Sequence, residues 1–173
     1  MEELVPFGSR TYWVVLGFML FARGMDFLST WVATPNLMLE ANPVAKLLGW
    51  KWGILLNLVI SVAGALWPLP CIVVITTSLL VASRNFQSAW LMRSMGEIHY
   101  RGFMAEQLAQ APRGLFLACL AGQTGLFAIV GGALMFFSQF EQLVPFAIGM
   151  GLITYAFAVL GFTLLSVWRI RRS

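Results

Sequence analysis

The chain is 173 residues long, 60% hydrophobic, only 10% charged, and carries a formal net charge of +4. A mean hydropathy of +0.83 lies far from the composition of a soluble domain. A β-barrel is also excluded, because it would show weakly alternating segments instead of continuous apolar runs.

Apolar runs fall at 11–34, 50–68, 69–93, 114–138 and 144–168, each long enough for the roughly 20 residues a spanning helix needs. The short connections leave no room for a separate soluble domain. The expectation is an all-α integral membrane bundle of five transmembrane helices forming one domain, 1–173.

The start carries Glu2 and Glu3 and lacks a basic leader, so the first segment is expected to be retained as a span. This helix runs from Thr11 to Thr34, where Pro35 and Asn36 interrupt it. Arg23 and Asp26 lie inside it. Its apolar side chains offer roughly −4 to −5 kcal/mol of insertion against about +6 for the two charges, so it needs partners. Arg23, Asp26 and Thr30, spaced i, i+3 and i+7, share one face that should look inward.

Glu40 follows in a short segment, and Asn42 with Pro43 signals a new helix, Asn as cap and Pro at the first helical position. Trp50 and Trp52 at one end and Trp67 at the other bracket the second span as aromatic anchors. Pro68 and Pro70 are expected to make a tight turn before the third span, which Arg84 interrupts.

In the long connection from Ser94 to Arg113, Tyr100, Phe103, Met104 and Leu108 recur at helical spacing. An amphipathic helix lying in the interface is expected over 94–113, with Glu97 and Arg101 as an i, i+4 pair. His99, the single histidine, reads as a solvated residue. The fourth span shows Ala118, Gly122, Gly125 and Gly132 along one face, and the fifth Gly149, Gly151, Ala158 and Gly161. These are read as packing surfaces, with self-association as the alternative. Cys71 and Cys119 fall at opposite depths and should not pair.

Lys46, Lys51, Arg93, Arg101, Arg113, Arg169, Arg171 and Arg172 lie on one side of a five-span chain, against Arg10 on the other. The positive side resists translocation, which orients the amino end outside and the carboxyl end in the cytoplasm of a prokaryotic plasma membrane. The positive charge answers the anionic inner leaflet and calls for no nucleic acid.

Arg23, Asp26 and Arg84 each cost about 3 kcal/mol at a span centre, together on the order of 9 kcal/mol. Equal depths predict a buried Asp26–Arg84 ion pair. Asn57 with Ser61, Gln123, Thr124, Thr154 and Tyr155 fall near the same level, so five helices would bring polar groups together. One aspartate cannot neutralise two arginines. The surplus charge favours an anionic ligand such as a lipid headgroup, phosphate or carboxylate. The candidate ligand-binding residues are Arg23, Asp26, Thr30, Glu40, Asn42, Asn57, Arg84 and Asn85. The plainer reading is a satisfied polar core that fixes helix packing.

Asp26-x3-Thr30 followed by Glu40-x-Asn42-Pro43 resembles the signature of a family of small, uncharacterised prokaryotic multipass membrane domains. Those domains place an aspartate and a threonine in one helix and a Glu-x-Asn-Pro at its end. The resemblance covers about 18 of 173 residues and implies a polar site shared by Asp26, Thr30, Glu40 and Asn42, without implying a reaction. Arg23 and Arg84 fall outside the pattern.

No cofactor or metal is expected. Histidines for haem and Cys/His sets for zinc are missing from the spans, and arginines argue against a hard cation on Asp26, Glu40 and Asn42. Gly-x-Ser-x-Gly, Walker and His-Glu-x-x-His motifs are also absent. The leading expectation is a non-catalytic protein that binds or passes a small anionic or polar ligand, or a lipid, from the cytoplasmic side. The alternative is an accessory or assembly subunit of a larger membrane complex. An enzyme using Asp26 or Glu40 as general base stands third, because no nucleophile accompanies them.

Overall fold

The computed structural model describes residues 4–40, 42–138 and 141–172, with 169–172 described by backbone alone; Glu2 and Glu3 lie outside the described residues. Six helices and no strand are found among them: α1 (Arg10–Ala33), α2 (Pro43–Gly64), α3 (Pro68–Met95), α4 (Glu97–Gln110), α5 (Arg113–Ser138) and α6 (Leu143–Arg172). All but α4 are long and apolar enough to cross a membrane, as a multipass membrane protein requires.

Local chemistry sets the helix ends. The Ser9 hydroxyl accepts from the Tyr12 amide at 3.1 Å and caps α1. Asn42 accepts from Val44 at 3.0 Å, with Pro43 in the first turn of α2 as expected. The second helix opens at Pro43 and not at 50, but Gly49 (φ 62°, ψ −171°) breaks it there. Only a residue without Cβ holds that backbone cheaply, so the long apolar stretch does begin at Trp50.

Pro68 and Pro70 do not form the turn between α2 and α3. Both lie in the first turn of α3, where a missing N–H costs nothing, and the turn itself is closed by the Trp67 amide donating to Gly64 at 2.9 Å. A helix does form within the 94–113 connection: α4, joined to α3 through a corner at Gly96.

Helix α3 is the hub. The most extensive packing joins α1 to α3 and α5 to α6, with α3 against α6 next, so four helices form a row: α1, α3, α6, α5. Ser78, Ala82, Asn85 and Ala89 follow helical spacing along the α1-facing side of α3, and the three small ones are buried. On the other side Thr76 abuts Gly151, where a Cβ would sit 2.6 Å from the Thr76 Cβ. Thr77 donates to the Gly151 carbonyl at 3.2 Å.

Between α5 and α6, a Cβ on Gly131 or on Gly149 would lie 2.6 Å from the other's carbonyl oxygen, so the two backbones touch. The expected α5 face is thereby corrected. Gly122, Gly125 and Gly132 meet nothing within 4 Å, and the contact is made by Gly131, one position away. Gly149 and Gly151 on α6 do pack, while Gly161 does not.

Helix α2 lies at the flank of α1 with only Gly53 and Ser61 buried. At the far end Val5 donates to the Leu66 carbonyl at 3.0 Å, and the buried Tyr12 hydroxyl donates to the Val62 carbonyl at 3.1 Å. Both cysteines are free, Cys71 buried and Cys119 exposed.

Candidate functional site

Arg23 lies where α1, α2 and α3 meet. Its Nε donates to Asn57 Oδ1 at 2.6 Å, and its Nη1 donates both to Asp26 Oδ2 and to Ser78 Oγ at 2.9 Å. One guanidinium therefore ties three helices together through a planar fork that an ammonium could not present. Asn57 is itself anchored by donating to the Gly53 carbonyl at 2.8 Å, and Ser61 donates to the Asn57 carbonyl at 2.7 Å.

The expected Asp26–Arg84 ion pair does not form. Asp26 pairs with Arg23 three residues earlier, because i, i+3 spacing puts both on one helix face. Arg84 lies about 240° around α3 from Ser78, at roughly 100° per residue, and so faces α6 instead of α1. There its Nη2 donates to Thr163 Oγ1 at 3.2 Å, and the buried Tyr155 hydroxyl is its other neighbour. Arg84 meets no carboxylate among the described residues, where Arg23–Asp26 is the ion pair found.

Toward the basic end, Asn85 Nδ2 donates to Ser29 Oγ and Thr30 Oγ1, both at 3.3 Å. Glu40 lies within electrostatic range of Asp26 and accepts from the Asn42 amide at 2.8 Å. Of the eight predicted residues, Arg23, Asp26 and Asn57 therefore meet directly. Thr30 and Asn85 pair beside them, and Glu40 with Asn42 occupies the adjoining linker. Arg84 stands apart.

The five-helix polar level contracts to three helices. Gln123 is exposed, and the Thr124 and Thr154 hydroxyls donate to their own helix carbonyls, Leu120 at 2.9 Å and Met150 at 2.8 Å. Equal depth does not imply a shared face, and these side chains point elsewhere around their helices.

Sequence reasoning missed Ser78, Thr163 and, above all, Glu97. Glu97 does not pair with Arg101. Its carboxylate accepts from Thr34 Oγ1 at 2.6 Å, the Asn36 amide at 2.8 Å and the Met38 amide at 2.8 Å. Burial pushes this carboxyl up, but the hydrogen bonds prevail and hold it below its ordinary range. An acid at the first position of α4 was the available signal. The result is a latch from α4 onto the linker that carries Glu40.

Every buried side-chain nitrogen and oxygen among the described residues has a partner, and no three His, Cys, Asp or Glu side chains converge there as a metal site. An open groove of about 390 Å³ runs between α1 and α2, lined by Phe27, Leu28, Trp31, Trp50 and Ile54. No protein-family model, curated protein or solved structure matches the chain.

Proposed function

We propose that this protein binds a small anionic or polar ligand, lipids included, within a prokaryotic plasma membrane, with its amino end outside and its carboxyl end cytoplasmic. Arg84 carries the reading. Arg23 is neutralised by Asp26, so the surplus positive charge expected from the sequence falls on Arg84. A lone guanidinium in an apolar span costs about 3 kcal/mol, and two hydroxyls supply no counter-charge.

An anion between α3 and α6 would take the donors that Arg84 does not spend on Thr163, in the bidentate geometry guanidinium favours. The Arg23–Asp26–Asn57–Ser78 cluster, on the opposite side of α3, ties α1 and α2 to the helix that carries Arg84. Asp26, Thr30, Glu40 and Asn42, the residues that carry the family likeness, lie on α1 and its linker, away from the α6-facing side of α3 where Arg84 sits.

The test is to extract the parent and Arg84→Leu in native lipid discs and identify retained anions by mass spectrometry. The parent should keep one anionic class at near-stoichiometric level and the variant should lose it. Equal retention in a folded variant overturns the proposal, and Thr163→Val should weaken retention without unfolding the bundle.

The open α5 face supports a second reading, an assembly subunit. A Cβ added at Gly122, Gly125 or Gly132 would meet no neighbour within 4 Å, so this face is open to the close approach of another helix. A stoichiometric partner in mild-detergent purification from the native host would favour it, and a chain migrating alone would count against it.

A further inference from the structure

We propose that the groove between α1 and α2 is a binding site for one anionic phospholipid, its acyl chain lying along Trp31, Trp50 and Ile54 and its phosphate held at Arg93. This inference rests on the membrane setting and is independent of Arg84, which occupies a different face of α3.

The groove is fixed by its construction. At Gly53 α2 approaches α1 closely, and a Cβ there would lie 3.5 Å from the Phe27 ring. Trp50 donates its Nε1–H to the Pro35 carbonyl at 2.9 Å and packs on Phe27 with ring centroids 6.1 Å apart. The walls are therefore pinned aromatics, and the volume of about 390 Å³ falls within the usual range of ligand pockets, about 300–1,000 Å³.

Charge selects the occupant. Arg93, exposed in the last turn of α3, lays its guanidinium over Trp31 at 5.8 Å from the ring centroid, against a wall of the groove. It forms no ion pair among the described residues. The nearby Glu97 keeps its negative charge but turns both oxygens to Thr34, Asn36 and Met38 and makes no ion pair with Arg93. Lys46, whose ammonium donates to the Met38 carbonyl at 3.0 Å, adds a second positive charge at this end. An apolar aromatic slot with a guanidinium stacked on one of its wall residues fits an amphiphile with a chain and an anionic head.

The test uses the full chain in phosphatidylcholine vesicles doped with brominated phosphatidylglycerol or brominated phosphatidylcholine, reading tryptophan quenching. Subtracting Trp31→Phe and Trp50→Phe spectra isolates the groove component. Brominated phosphatidylglycerol should quench that component at about fivefold lower mole fraction, the ratio that roughly 1 kcal/mol of headgroup attraction gives. Arg93→Gln should abolish the preference, Arg93→Lys should keep most of it, and Arg84→Leu should leave it intact. Equal quenching by both lipids, a preference that survives Arg93→Gln in a folded chain, or a preference lost with Arg84→Leu would overturn the site.

Discussion

Thr34 donates its hydroxyl to Glu97 across 2.6 Å although the two residues stand 63 positions apart. The bond closes the α1–α2 linker onto the first turn of α4, so that helix and the segment leading to Glu40 are tied together. Leu39 donates to Thr34 Oγ1 at 3.2 Å and completes the wrap.

Glu97→Gln should release this linker. A hydrogen bond to a charged group is worth about 1.5–3 kcal/mol, and the amide leaves the donors of Thr34, Asn36 and Met38 competing for a single carbonyl oxygen. Hydrogen exchange at the Asn36 and Met38 amides should accelerate while α3 amides stay protected. Unchanged exchange in the linker would refute the latch.

The same contact sets a pH dependence. The folded carboxyl titrates below its ordinary 4.5. A group lowered on folding therefore contributes fully above that value, and its contribution is lost as pH falls through the lowered one. Linker exchange should rise on acidification below the ordinary glutamate range, and Glu97→Gln should flatten that rise.

Arg23 and Asp26 should behave as a unit. Removing one partner of a buried pair costs about 3–5 kcal/mol when burial is complete; here the side chains keep 25% and 20% exposure, so a smaller loss is expected. Asp26→Asn and Arg23→Leu should each lower thermal stability in detergent. The double variant with leucine at both positions should recover a good part of it, and additive losses would show that the two do not interact.

Gly149→Ala should weaken the α5–α6 contact by about 1–3 kcal/mol, since the new methyl would meet the Gly131 carbonyl. Gly132→Ala, facing open space, should leave stability unchanged. A thermal scan of both variants decides whether α5 packs through Gly131 or through the neighbouring face.

Hydropathy and length alone located the five long helices, because a run of apolar side chains has few alternatives to a helix. The α4 helix was legible from spacing, and Asn42–Pro43 from capping chemistry. Rotation about each helix axis was not legible. Arg84 was expected opposite Asp26 because their depths agree, yet it faces Thr163, and Gly132 was expected at a contact that Gly131 makes. Such errors arise because depth is set by residue count, whereas azimuth is set by which neighbour a helix finds. Glu97 was misassigned for a related reason: a local i, i+4 partner was visible in the sequence, while the distant amides that outcompete it were not.

The fork of Arg23 has a consequence for biosynthesis. Its acceptors on Asn57 and Ser78 belong to later segments, so the first helix reaches the ribosome exit before the groups that stabilise it have been translated. Until the third helix has been made, the Arg23 guanidinium lacks its Ser78 acceptor.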